Sequence, residues 1–219
     1  MSAEILQSGL KDMIIEIVEK EEGSYSPELQ DLIQRYRRNY LDQALIMVGM
    51  NTSGRIAGGS QVFDAVTDYI SDRGVKAEVV GTGAIGLASE EPILSIQLPG
   101  RCRVLFTRVG PDDVSVILDD VFHHTIPSDK LLGQIRNDEL DAWNDVPFLD
   151  EIAFFGKQKR ILLKYNGLID PLSIDEYIAN GGYKAFLRTI RNLTFDEVCV
   201  MVEESGLRGR SGSGFLTGR

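Results

Sequence analysis

The chain has 219 residues and a formal net charge of −10 at neutral pH, with 43% of its residues hydrophobic and 26% charged. That balance suits a soluble globular protein with a buried core, and it excludes a nucleic-acid binder, which needs a basic face to meet phosphates. No apolar run is long enough to span a bilayer, and the first residues lack the basic start and apolar core of a signal peptide, so the expected location is cytoplasmic.

Ile5, Leu6, Leu10, Met13, Ile14, Ile17 and Val18 recur at helical spacing and predict an amphipathic helix running to about Lys20. The stretch 21–27 breaks it, and Leu29, Leu32, Ile33 and Tyr36 mark a second helix with Pro27 in its first turn. A short apolar run over 44–50 reads as a buried strand, followed by a loop over 51–59. Val62, Phe63, Val66, Tyr69 and Ile70 predict a helix that Gly74 ends. Residues 77–80 read as a strand and 81–92 as a loop. Leu94, Ile96 and Leu98 alternate with Ser95 and Gln97, the pattern of a half-buried strand. Pro99-Gly100 is a turn signal, so 104–107 is the returning strand of a hairpin. Pro111-Asp112-Asp113 then opens a helix with acids in its first turn and a buried stripe of Val114, Ile117, Leu118 and Val121. The order β-α-β, hairpin, helix makes an α/β fold. It resembles a thioredoxin-like domain with an α-helical preface.

From 127 to 148 the pattern loosens around the lone Trp143, which predicts a connecting segment. A second region begins near Phe154, and 161–163 reads as a short strand or an extended stretch. Ser173 with Glu176 and Thr194 with Glu197 form two capping boxes, each opening a helix. Gly181-Gly182 ends the first; Val198, Met201 and Val202 form the expected buried stripe of the second. Cys102 and Cys199 are far apart and in no metal-ligand or CxxC spacing, so they read as buried or half-buried thiols. That argues against a disulfide framework, a zinc site and a thiol oxidoreductase. The adjacent His123 and His124 fall near a helix end, where interaction with the C-terminal dipole is a simpler account than metal binding.

The last residues, from Gly206 to Arg219, read GLRGRSGSGFLTGR. Glycines at near-alternating positions with arginines between them let a backbone approach a flat or anionic ligand that side chains would hold off.

Leu163-Lys164-Tyr165-Asn166-Gly167, Asp170-Pro171 through Tyr183, and Ser205-Gly206-Leu207-Arg208-Gly209-Arg210 resemble the start of the NADH-oxidising flavoprotein subunit of respiratory complex I and of NAD-linked hydrogenases. The resemblance is specific in about the last 65 residues and implies a mainly helical first part of an FMN domain. In that family the glycine-rich loop lies against the flavin and NADH rings. The resemblance therefore implies cofactor-binding roles for Gly209, Arg210, Gly212, Gly214, Phe215 and Thr217. Ser211, Ser213 and Leu216 depart from the family's glycine, alanine and proline. The lysine and tryptophan that follow the family's loop have no counterpart here.

The thioredoxin-like part is similar to domains whose two loops hold a [2Fe–2S] cluster through four cysteines. Here Ser53, Ala84 and Ala88 stand at ligand positions, so the resemblance implies a domain free of iron. The implied organisation is amino-terminal helices over 1–43, a cluster-less thioredoxin-like domain over 44–126, a linker over 127–153, and the start of an FMN/NADH-binding domain over 154–219. The implied function is the amino-terminal portion of an NADH dehydrogenase flavoprotein subunit, which passes a hydride from NADH to FMN and electrons onward to iron–sulfur clusters. The expected partners are a small thioredoxin-like iron–sulfur subunit and a large iron–sulfur subunit, peripheral to a membrane complex. By itself the chain is expected to be incomplete as a catalyst. The alternative is a non-catalytic docking module of a redox complex.

Overall fold

The computed structural model describes residues 14–20 and 22–219. The expected helical positions Ile5, Leu6, Leu10 and Met13, and the side chain of Val18, lie outside what is described. Helix α1 covers Ile14–Glu19 and α2 covers Pro27–Tyr36. Ser26 caps α2 by accepting from the Leu29 amide, and Glu16 of α1 accepts from the Ser26 amide at 2.8 Å, which fixes the angle between the two helices.

A five-stranded sheet follows in the order β2-β1-β3-β4-β5. Its strands are β1 (Ala44–Gly49), β2 (Ala77–Thr82), β3 (Leu94–Gln97), β4 (Val104–Phe106) and β5 (Leu131–Gln134). Strands β1 and β2 are parallel and every other pairing is antiparallel. The connections are α3 (Thr52–Ile56) and α4 (Gly59–Arg73) between β1 and β2, and α5 (Pro111–Phe122) after β4. A βαβ unit extended by an antiparallel hairpin and a closing helix is the thioredoxin-like arrangement, as the sequence order implied. Gly74 ends α4 and Pro111 opens α5, both as expected. The stretch 51–59, expected as a loop, instead carries α3, whose Arg55 Nε donates to the Met50 carbonyl at 2.9 Å. Strand β2 runs two residues beyond its expected end, to Thr82, because its parallel register with β1 continues to Gly49.

Period-2 alternation divides the sheet between two faces. Ile46, Val48, Leu94, Ile96, Val104 and Phe106 pack with Val62 and Val66 of α4 and with Val114, Ile117, Leu118 and Val121 of α5. The opposite face carries Leu45, Met47, Ser95, Gln97 and Leu105, all buried. Strand β3 is therefore buried on both faces rather than half-buried. Its polar residues meet chain that folds over them from outside the thioredoxin-like motif: Gln97 Nε2 donates to the Arg38 carbonyl at 2.8 Å.

The segment expected as a linker is also drawn into the sheet. Within 127–153, β5 pairs with β4, and Gln134 is buried with its side-chain amide donating to the carbonyls of Trp143 and Val146. Trp143 is buried too, and its indole donates to the Cys102 carbonyl at 2.7 Å. A loose hydrophobic pattern hides this strand because its anchors are an amide and an indole, not an apolar stripe.

Beyond it lie α6 (Ala153–Gly156), α7 (Ile174–Ala179), α8 (Lys184–Asn192) and α9 (Phe195–Glu204). Residues 161–163 form turns, not a strand, with Ile161 and Leu162 exposed. Both halves of the Thr194–Glu197 box form. In the Ser173–Glu176 box only the serine half forms, at 3.2 Å, because the Glu176 carboxylate is drawn to Arg38 and to the Asp170 amide. Helix α7 packs Ile178 and Ala179 against Ile17, Leu29, Leu32 and Ile33, so the amino-terminal helices and the carboxy-terminal region share a small core. The expected buried stripe of α9 is absent: Val198 and Val202 are half-buried and Met201 is exposed.

Candidate functional site

The glycine-rich segment follows α9 and folds back on itself. The Gly209 amide donates to the Phe215 carbonyl at 2.8 Å and the Thr217 amide to the Leu207 carbonyl at 2.9 Å, closing a short antiparallel hairpin. Arg208 Nη1 braces the turn by donating to the Gly214 carbonyl at 3.0 Å, and Arg219 Nε ties its end to Glu203 at 3.1 Å. Gly212 and Gly214 take φ of 109° and 63°, values that a side chain resists, so the tip needs glycine at these positions. Ser211 and Ser213 are outside the left-handed region, which is why serine is accommodated there.

Among the described residues, the backbone amides of 210–214 have no hydrogen-bond partner, and Arg210 is exposed without an ion pair. A run of free amides beside a guanidinium is a donor set for phosphate oxygens. Phe215 is 63% exposed on the same hairpin. Five of the sequence-expected residues, Gly209, Arg210, Gly212, Gly214 and Phe215, thus come together on one turn. Thr217 closes the hairpin through its backbone amide.

The positions expected of cluster ligands lie at the end of the sheet. Ser53 sits on α3, where its Oγ accepts from the Asn51 side-chain amide at 2.6 Å. Ala84 is half-buried in the loop after β2, and Ala88 is exposed further along it, at the start of a short 3-10 turn. That loop is covered by the carboxy-terminal region: Thr82 Oγ1 donates to the Ile169 carbonyl at 3.0 Å, and Gly167 lies against Ile85. A Cβ on Gly167 would stand 2.3 Å from Ile85 Cγ2. Among the described residues, no group of three or more His, Cys, Asp or Glu side chains is placed to hold a metal ion. Alanine has no lone pair, and Ser53 is engaged, so the donor set does not fit a [2Fe–2S] cluster. Cys102 is buried and Cys199 half-buried; burial pushes the Cys102 thiol up, away from the reactive thiolate. His123 Nδ1 lies 2.6 Å from the Asp119 carbonyl at the end of α5, the expected helix-terminal contact.

One further cluster has no motif to announce it. Arg38 holds Glu78 in a two-pronged ion pair at 2.5 and 2.7 Å and reaches the buried Glu176 at 2.5 Å. Burial opposes its charge, yet the two carboxylates hold Arg38 above its ordinary range. Burial likewise pushes Glu176 up, against the pull of the Asp170 amide and Arg38. Arg103 is buried beside them, and burial followed by repulsion from Arg38 brings it down to about 10. An arginine placed directly before apolar β4 is the one available signal.

No family model matches this chain. Over 62 residues it is 50% identical to the NADP-reducing hydrogenase subunit HndC of Solidesulfovibrio fructosivorans, a match covering 28% of this chain and 12% of that protein. It is 40% identical over 55 residues to an NADH-quinone oxidoreductase subunit of Buchnera aphidicola, covering 25% and 12%, and 47% identical over 47 residues to the corresponding protein of Aquifex aeolicus, covering 22% and 11%. The match therefore spans about an eighth of the length of the curated relatives. Among solved structures, a thioredoxin-like [2Fe–2S] ferredoxin from Aquifex aeolicus is similar over 44% of this chain and 96% of its own, with 15% identity and a TM-score of 0.36. Among the described residues no helix is long and apolar enough to cross a membrane.

Proposed function

We propose that this chain is part of an NADH dehydrogenase-type flavoprotein subunit, and that its glycine-rich hairpin contributes to an FMN and NAD(H) site. The observation that carries this reading is the hairpin tip, where unpartnered amides of 210–214 stand beside Arg210. The similarity to NADH-quinone oxidoreductase and hydrogenase subunits supports it. The tip amides and Arg210 would hold a pyrophosphate, bare backbone at Gly212 and Gly214 would let a flat ring approach, and Phe215 would cover a ring face. The chemistry supplied by a bound FMN is acceptance of a hydride from NADH and its release as single electrons.

In this reading the thioredoxin-like region carries no iron. Its support is the donor chemistry at Ser53, Ala84 and Ala88. Absorbance and metal analysis of the purified protein test both points. Bound FMN without iron supports the flavin reading, and neither cofactor leaves the docking reading. Stoichiometric iron overturns the iron-free reading. Failure to bind flavin, with no NADH-dependent reduction of an artificial acceptor in the presence of partner subunits, overturns the flavin reading.

A second reading, a non-catalytic docking module, is favoured by the apolar side chains exposed on α8 and α9. Phe186 and Ile190 are each 58% exposed, and Phe195 is 82% exposed. Co-purification with a small thioredoxin-like and a large iron–sulfur subunit would support it, and failure of both to associate would remove it.

A further inference from the structure

A cavity of about 150 Å³ opens where four parts of the chain meet. Arg37 and Arg38 come from the end of α2, Gln97 and Arg103 from the sheet, Asn137 from the stretch after β5, and Tyr165 from the segment that covers the sheet. The lining contains three guanidinium groups and no carboxylate. Arg38 is engaged by Glu78 and Glu176, and Arg37 Nε donates to the Ala179 carbonyl at 2.9 Å.

Arg103 is only 6% exposed and has no ion-pair partner among the described residues. Its Nε donates to Gln97 Oε1 at 3.2 Å, while Nη1 donates to the Leu168 carbonyl and lies against Met47 Sδ, each at 2.9 Å. Among the described residues Nη2 has no partner. A buried guanidinium whose direct hydrogen-bond partners are all neutral is costly; Arg38 adds to that cost and the Glu176 carboxylate offsets part of it. The backbone adds a second irregularity. Arg38 takes φ of 64°, a left-handed conformation that a non-glycine residue holds only when its surroundings enforce it. Its ion pairs with Glu78 and Glu176 fix that residue at the cavity wall.

We infer that this cavity is a binding site for a small oxyanion of the phosphate class, taken either as the free ion or as the phosphoryl end of a phosphomonoester. Arg103 supplies the charge at the floor, oriented by Gln97 and the Leu168 carbonyl. Arg37 lies at the half-buried rim. Guanidinium groups match the oxygen geometry of such an ion, and a low local dielectric strengthens the contact. A bound anion would join the sheet to the segment that covers it. The site shares no lining residue with the glycine-rich hairpin, so it stands independently of the flavin reading.

The test is calorimetric titration of the intact protein at constant ionic strength with inorganic phosphate, and separately with glycerol 3-phosphate. Saturable binding is expected, weakened roughly tenfold or more in Arg103→Met, the loss expected for a charge-assisted hydrogen bond. Should Arg103→Met fail to fold, Arg103→Lys keeps the charge but loses the fork, and binding weaker by severalfold is expected. Equal binding of both probes assigns the phosphoryl end of an ester, and binding of inorganic phosphate alone assigns the free ion. Absence of saturable binding by either probe overturns the inference, as does undiminished affinity in a folded Arg103 variant.

Discussion

The sheet with α4 and α5 and the carboxy-terminal stretch from about 157 are held together in different ways. The first buries a continuous core, with Ile46, Val62, Leu94, Ile96, Phe106 and Leu118 shielded completely from solvent. The second buries few apolar side chains. Ile178 and Ala179 do so only by joining the core of α1 and α2, and α8 and α9 contribute none. In place of a core it has caps, a hairpin and ion pairs to the rest of the chain. A region can thus be well defined locally while depending on its neighbours for attachment.

Changes on the two sides should therefore differ in size and reach. The largest effect is expected from Phe106→Ala, which empties a fully buried ring position: a loss of about 3–5 kcal/mol from a cooperative urea transition. A loss below about 1 kcal/mol would mean that the sheet core is not what holds this part together. Next, Glu176→Ala removes a buried acid that accepts from both Arg38 and the Asp170 amide. It should cost about 3 kcal/mol. Hydrogen exchange should show the loss in α7 and the cover over the sheet while β1 and β3 stay protected. Uniform loss across the chain would erase the distinction between the regions.

Thr194→Ala removes the side-chain half of an exposed capping box, leaves the backbone amide of 194 on the Glu197 carboxylate, and should destabilise α9 locally by about 1 kcal/mol. Amide exchange in α9 should accelerate with little change in the main unfolding transition. The smallest effect concerns pH. Asp113 is held below its ordinary range despite burial, by the Lys130 ammonium and the Gly110 amide. A folded carboxyl that binds its proton less readily than the unfolded one stabilises the protein above its unfolded value, and that stability is lost as pH falls through the folded value. Asp113→Asn should therefore flatten the acid limb of the stability curve and leave its shape above neutral pH unchanged. An acid limb identical to the wild type would exclude Asp113 as a contributor.

The same contrast explains what is legible in the sequence. Strands and helices of the thioredoxin-like part announce themselves through apolar periodicity, because burial of one stripe or one face is what creates them. Strand β5 does not, since Gln134 and Trp143 anchor it through hydrogen bonds that leave no periodic trace. The alternation in β3 is real, yet its polar side faces protein where the pattern implies solvent. Only the long-range return of the chain through Arg38 and Leu168 buries Gln97 and Arg103. In α9 the apolar spacing is also real, but spacing does not specify what covers a stripe. The glycine-rich hairpin is legible as a motif because its glycines sit where the backbone turns. The arginine-lined cavity is not, because its walls come from positions 37, 97, 137 and 165.

The contact of Gly167 with Ile85 carries an evolutionary consequence. With φ of 76° and no room for a methyl group, position 167 cannot drift by itself. A laboratory selection started from Gly167→Ala should relieve the clash through shortening at position 85, while the strain of the positive φ stays until glycine returns. Residues 82 apart in sequence would then be inherited as a unit.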